Sequence, residues 1–261
     1  MQKKLSQLIC LCLLAIIASQ TASAKDKKDF YEIKMYQLKS DTQIARVDSF
    51  LKDAYVPALH RAGIEKVGIF KPIANDTAKI KWLYVFIPLK SLEQFYTLPA
   101  TLEKDAALQS DGKNYWEAAY NNVPYQRMET VLLEAFPEHP NFEMPALTSS
   151  TKDKVYELRS YEGPTEKMYA SKVKMFNAGG EVKLFKRLDF HAVFYASVLA
   201  GSHMPNLMYM TSFENIDARN AHWKTFSSDP EWKKLSSMPE YLNTVSHADV
   251  ILCHATDYSD F

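Results

Sequence analysis

Tyr31-Glu32-Ile33-Lys34-Met35-Tyr36 recurs 125 residues later, starting at 156 instead of 31, as Tyr156-Glu157-Leu158-Arg159-Ser160-Tyr161. An echo at that distance means two copies of one structural unit, each too small to bury its apolar surface alone. Both copies continue with the same order of signals. In the first, Ile44, Val47, Leu51, Tyr55 and Leu59 keep a three-to-four spacing that predicts a helix over 42–59. Pro57 should disturb its last turn, and Gly63 is a natural stop. In the second, residues 165–176 read as the matching helix, broken by Gly179-Gly180.

Two apolar strand-like runs follow in each copy, 67–73 and 82–87, then 191–198 and 207–213. A helical stretch comes next, 91–95 with a continuation to 119, and 216–226. A long strand-like run closes each copy, 126–136 and 247–255. The fold class is therefore α+β, two tandem ferredoxin-like β-α-β-β-α-β units. The first unit spans 25–137, a proline-bearing linker 138–150, and the second unit 151–261. Helices cover only one face of each sheet. Pairing the two open faces would bury both and close the chain into an intramolecular dimeric α/β barrel, with two units on a hinge as the alternative.

Outside the repeat, the first residues concern destination. Lys3 and Lys4 precede an apolar run, Leu8 to Ala18, which Ala22-Ser23-Ala24 closes with a small-x-small pattern. This predicts a signal peptide, 1–24, cut after Ala24, and a protein exported to a periplasm or beyond the cell. The run is shorter than the ~20 residues a bilayer span requires, so no membrane attachment is expected after cleavage. Cleavage would leave 29 basic against 31 acidic residues, and Cys253 as the lone cysteine. One cysteine cannot close an internal disulfide, and a near-neutral chain without a basic patch gives no basis for nucleic-acid binding.

The second copy carries a more particular pattern. After its opening strand come Phe176-Asn177-Ala178-Gly179-Gly180-Glu181, then Leu199-Ala200-Gly201 with Met204-Pro205-Asn206-Leu207-Met208-Tyr209-Met210, then Ala221-His222-Trp223-Lys224-Thr225-Phe226 with Asp229-Pro230-Glu231-Trp232. In this order the segments resemble the NIPSNAP family. The first copy keeps the opening strand and Tyr55-Val56-Pro57-Ala58-Leu59 but lacks the Trp-x-x-Phe and Asp-Pro-Glu-Trp segments. The resemblance implies a ferredoxin-like, dimeric α/β-barrel type of fold. That fold also hosts cofactor-free monooxygenases, haem-degrading enzymes and binding proteins, so it does not select an activity.

Strand alternation nominates the site. Glu157, Arg159 and Tyr161 share one face, as do Glu32, Lys34 and Tyr36, while Tyr156, Leu158, Tyr31, Ile33 and Met35 take the other. Placing the apolar set under the helices sends the polar set into the barrel interior. There Glu157, Arg159, Tyr161, Glu32 and Tyr36 would bind a ligand, or form ordinary ion pairs. His191, whose strand face is expected to carry Val193 and Tyr195, and Tyr161 are the acid–base candidates; His203 is a weaker one. Trp223 and Phe226 share a helix face and should pack on the sheet, and Asp229-Pro230 should start a helix. His247 and His254, seven apart on one strand, face opposite ways, and no metal motif or nucleotide- or cofactor-binding fingerprint appears, so neither metal nor cofactor is expected. Three functions follow: binding of a small apolar or aromatic ligand between the two sheets, cofactor-free oxygenase or isomerase chemistry in the barrel, or an interaction protein with a solid core. The expected partners are a small molecule and a second copy of the chain.

Overall fold

The computed structural model describes residues 27–261; the signal-peptide reading of 1–24 lies outside them. Strand β1 (Phe30–Leu38) leads into helix α1 (Asp41–Ser49), a π-helical turn (Phe50–Tyr55) and α2 (Val56–Arg61). The wide turn, with Val56 N–H bonded to Leu51 O, falls just before Pro57 and lets the helix pass a residue that has no N–H to give. Gly63 stops it at φ +86°, with Ile64 N–H returning to Leu59 O. Strands β2 (Gly68–Pro72) and β3 (Lys81–Leu89), helices α3 (Leu92–Glu103), α4 (Ala106–Asp111) and α5 (Lys113–Trp116), and strand β4 (Arg127–Ala135) complete the first half.

The second half repeats the order. It runs through β5 (Val155–Glu162), α6 (Glu166–Phe176), α7 (Glu181–Arg187), β6 (His191–Ala200), β7 (Asn206–Phe213), α8 (Ile216–Ser228), α9 (Pro230–Ser236) and β8 (His247–Ala255). Gly180 divides α6 from α7 at φ +95°, and Asp229 caps α9 with Pro230 at its first position. Among the described residues no helix is long and apolar enough to cross a membrane.

All eight strands form one closed antiparallel barrel in the order β1-β3-β2-β8-β5-β7-β6-β4. Each half contributes four contiguous strands. The seams are β2–β8, three pairs from Phe70↔Ala255 to Pro72↔Cys253, and β4–β6, from Leu132↔Ala200 to Ala135↔Ala196. Every strand thus has a neighbour on both sides, though the β2–β8 seam pairs only the last residues of β8.

Closure also corrects the expected facing of the strands. The barrel interior is apolar and aromatic: Tyr31, Ile33, Phe70, Phe86, Tyr156, Leu158, Phe194 and Cys253 form one buried cluster drawn from both halves. Phe86 stacks on Phe194 at 5.1 Å, and Phe142 of the linker and Phe261 pack against the same group. The polar sets face the other way, under the helices. Where sheets pair face to face most side chains are cut off from water, whereas the helix-covered face has a rim of solvent and helix side chains to pair charges. The apolar set thus gains more from the interior, at ~1.5–3 kcal/mol per large side chain. The alternation expected of His191 also fails. A bulge between Ala192 and Phe194 turns Val193 and Phe194 both inward and sends Tyr195 out against the helices.

Candidate functional site

One end of the barrel is not filled. Where β1, β5 and the start of β7 meet the turn after β2, a cavity of about 800 Å³ opens between the two halves. Its walls include Met35, Trp82, Tyr84, Val131, Leu158, Met208 and Ile251, with Glu129, Ser160, His203, Asn206 and Asp249 among the polar groups. Trp82 and Tyr84 lie nearly parallel, 15° apart with centroids 6.1 Å from each other, as one aromatic wall. Burial pushes the Tyr84 hydroxyl well above its ordinary pKa, so it stays a neutral donor. Asn206 is the telling residue. Its Nδ2 donates to Ser160 Oγ at 2.8 Å, while its buried Oδ1 has no hydrogen-bond partner among the described residues. An orphaned buried acceptor costs ~1–3 kcal/mol unless something donates to it. Asn206 is one of the residues that line the cavity.

Glu157, Arg159 and Tyr161 are brought together, though not around this cavity. Glu157, fully buried, accepts from Arg159 Nε at 2.7 Å, from Arg219 Nε and Nη2 at 2.9 and 2.8 Å, and from Trp223 Nε1 at 2.6 Å. Arg219 and Trp223 both come from α8. Arg159 also donates to the Tyr161 hydroxyl at 2.7 Å, which pairs with Tyr209 at 2.9 Å, and its guanidinium lies 3.8 Å from the Trp223 ring centre. Burial opposes ionisation of Glu157, but Arg219, Arg159 and Trp223 outweigh it and hold the carboxyl below its ordinary value. With its lone pairs taken, this group is a latch between sheet and helix.

The first half differs. Glu32 pairs with Lys34 Nζ at 2.6 Å, and Tyr36 accepts a hydrogen bond from the Tyr115 hydroxyl at 3.3 Å. Glu32 and Lys34 line a separate cavity of about 680 Å³ beneath α3 and α5.

His191 stands apart from all of these. It lies at the strand ends away from the barrel mouth, its Nε2 3.9 Å from Asp189, so the geometry does not join it to Arg159 or Tyr161. His254 is bound to Lys154 O through Nδ1 at 2.8 Å. His203 does reach the mouth, with Nδ1 2.8 Å from Glu162. Glu162 faces His247 across the β5–β8 ladder, and Glu162, His247 and Asp249 place one ligating atom each within 4.8 Å of one another. These residues could hold a cation at the rim. His247 and Asp249 stand two apart on β8, but Glu162 joins them only through strand pairing.

Asn206, Trp82 and Tyr84 were not singled out from sequence as site residues. Asn206 stood in the quoted Met204-Pro205-Asn206 segment, but its orphaned oxygen is legible only in three dimensions.

Residues 156–260 match the model of the NIPSNAP family. Among solved structures the chain is similar to a monooxygenase-like protein of Fusobacterium nucleatum, at 7% identity and TM-score 0.56 over 88% of this chain and 93% of that one. It is similar to a monooxygenase-like protein of Lactobacillus acidophilus, at 11% identity and TM-score 0.53 over 87% and 94%. An anthrone oxidase-like protein aligns at 10% identity and TM-score 0.55 over 89% and 93%. At these identities the likeness is one of fold. No curated protein matches the sequence.

Proposed function

From the premise that residues 156–260 form a NIPSNAP domain, we propose that the protein binds a small apolar or aromatic molecule carrying a hydroxyl or N–H donor in the mouth of its barrel. The observation that carries this is Asn206, which lines a mostly apolar cavity and whose buried Oδ1 has no partner among the described residues. Apolar walls supply affinity and one fixed polar group supplies orientation, the usual division of labour in small-molecule sites. The acidic residues Glu129 and Asp249 at the same cavity disfavour anions. The similar solved structures share the fold, and we draw no reaction from them.

In this reading the chain is two ferredoxin-like units, 25–137 and 151–261 joined by 138–150, each in the order β4-β1-β3-β2 or its counterpart β8-β5-β7-β6. The cavity lies where they meet, so the tandem copy makes the site. We further propose export, on Lys3, Lys4 and Ala22-Ser23-Ala24. The test is a crystal structure of the protein soaked with phenols of one and two rings. Density with its hydroxyl on Asn206 Oδ1 is expected; a mouth that stays free of every phenol at saturating concentration would reject the assignment.

A further inference from the structure

The two halves can be overlaid through their helix caps. Ser91 Oγ accepts from Gln94 N–H at the start of α3, and Asn215 Oδ1 accepts from Ala218 N–H at the start of α8. Counting from these caps, Arg219 corresponds to Phe95 and Trp223 to Pro99. On the strands beneath, Glu157 corresponds to Glu32 and Arg159 to Lys34. The second half therefore fills the space between sheet and helix with a guanidinium and an indole, both donating to Glu157. The first half has neither side chain. Phe95 and Pro99 instead line the cavity of about 680 Å³, with Glu32 at its floor and Trp116 and Tyr96 on its walls.

The carboxylate at this position accommodates two cations, since Glu157 holds Arg159 and Arg219 together. Glu32 has one, Lys34, and is 5% exposed. Glu103, also on the cavity wall, leaves the surroundings net negative against Lys34 alone. The geometry points to a second ligand site here, independent of the barrel mouth, for an arylalkylamine or an aromatic amidine. Its cationic N–H group takes the place of Arg219 against Glu32, and its ring takes the place of Trp223 beneath α3. The chain itself thus displays, in its second half, the chemistry that fits its first.

The direct test is calorimetry on the whole chain with benzamidine and tryptamine as probes and benzoate as the opposite-charge control. With the barrel mouth filled by Met208→Trp, both cations are expected to bind with 1:1 stoichiometry and benzoate not to bind. Glu32→Gln should weaken the cations at least tenfold, and Pro99→Trp, which supplies the missing plug, should abolish their binding. In that background the Glu32 and Pro99 substitutions report this site alone, which separates it from the barrel mouth. Circular dichroism melting curves confirm that each variant is folded. Should Glu32→Gln fail to fold, Pro99→Trp alone decides. No cation binding to the Met208→Trp chain, binding of benzoate equal to that of benzamidine, or cation binding in that background indifferent to Pro99→Trp would overturn the proposal.

Discussion

Trp223 lies on the Arg159 guanidinium, 3.8 Å from Cζ to ring centre, and donates its indole N–H to the carboxylate that Arg159 also grips. One helix residue thus covers a strand cation and neutralises part of a strand anion. Cation and ring attract through the quadrupole of the indole, and Glu157 closes the group. The same arrangement explains why these polar residues can sit under a helix without water.

Removing the anion should therefore expose two cations to burial without a partner. Glu157→Gln is expected to lower unfolding free energy by about 3 kcal/mol, the cost of breaking a buried pair from one side. Urea unfolding followed by circular dichroism measures it. A change within ~0.5 kcal/mol would mean the latch holds nothing.

The barrel interior makes a second prediction. Phe194 packs against Tyr31 at 5.2 Å and Phe86 at 5.1 Å and is fully buried between the halves. Phe194→Ala should cost ~3–5 kcal/mol. Because the cluster takes residues from both halves, the variant should still unfold in one transition, with near- and far-ultraviolet signals moving together. Two separated transitions would show halves that fold independently.

A third prediction concerns acid. Glu214, just after β7, accepts from the backbone N–H groups of Thr148 and Ser149 and from the Thr148 hydroxyl; the Ser149 hydroxyl beside it, followed by these bonds, lowers its pKa to about 2. The folded carboxyl is more acidic than the unfolded one, so its contribution is complete above the ordinary carboxyl range of ~4. It fades as pH falls from there through about 2. Carbon-detected NMR should find the Glu214 midpoint near the low value, with the Thr148 and Ser149 amide signals moving alongside it. Glu214→Gln should remove that movement. A midpoint near 4 would mean the linker is not clamped.

The repeat made the fold legible. Element order, the helix stop at Gly63, the break at Gly180 and the Asp229-Pro230 start all followed from local rules of spacing and capping. Facing did not follow, because strand alternation divides residues into two sets without saying which set looks inward. Tyr31 and Tyr156 won the interior once the two sheets excluded water from it, and Glu32 and Glu157 went where helix residues could reach them. The bulge after Ala192 left no mark in composition, so the expected partnership of His191 with Tyr195 was lost. Asn206 and the group of Glu162, His247 and Asp249 were invisible for another reason: their meaning lies in neighbours that only strand pairing supplies.

The most direct test of the central claim uses Trp82, which forms part of the cavity wall. Titration with 2-naphthol, read as quenching of tryptophan fluorescence with Trp82→Phe as the control, measures occupancy of the barrel mouth. The account predicts saturable quenching that disappears in the control. In Asn206→Leu, affinity measured by calorimetry should fall up to about tenfold, the worth of one hydrogen bond. In Met208→Trp, which fills the cavity, binding should be lost. Absence of saturable quenching in the wild type, or binding that neither substitution changes, would contradict the claim that this mouth is a ligand site.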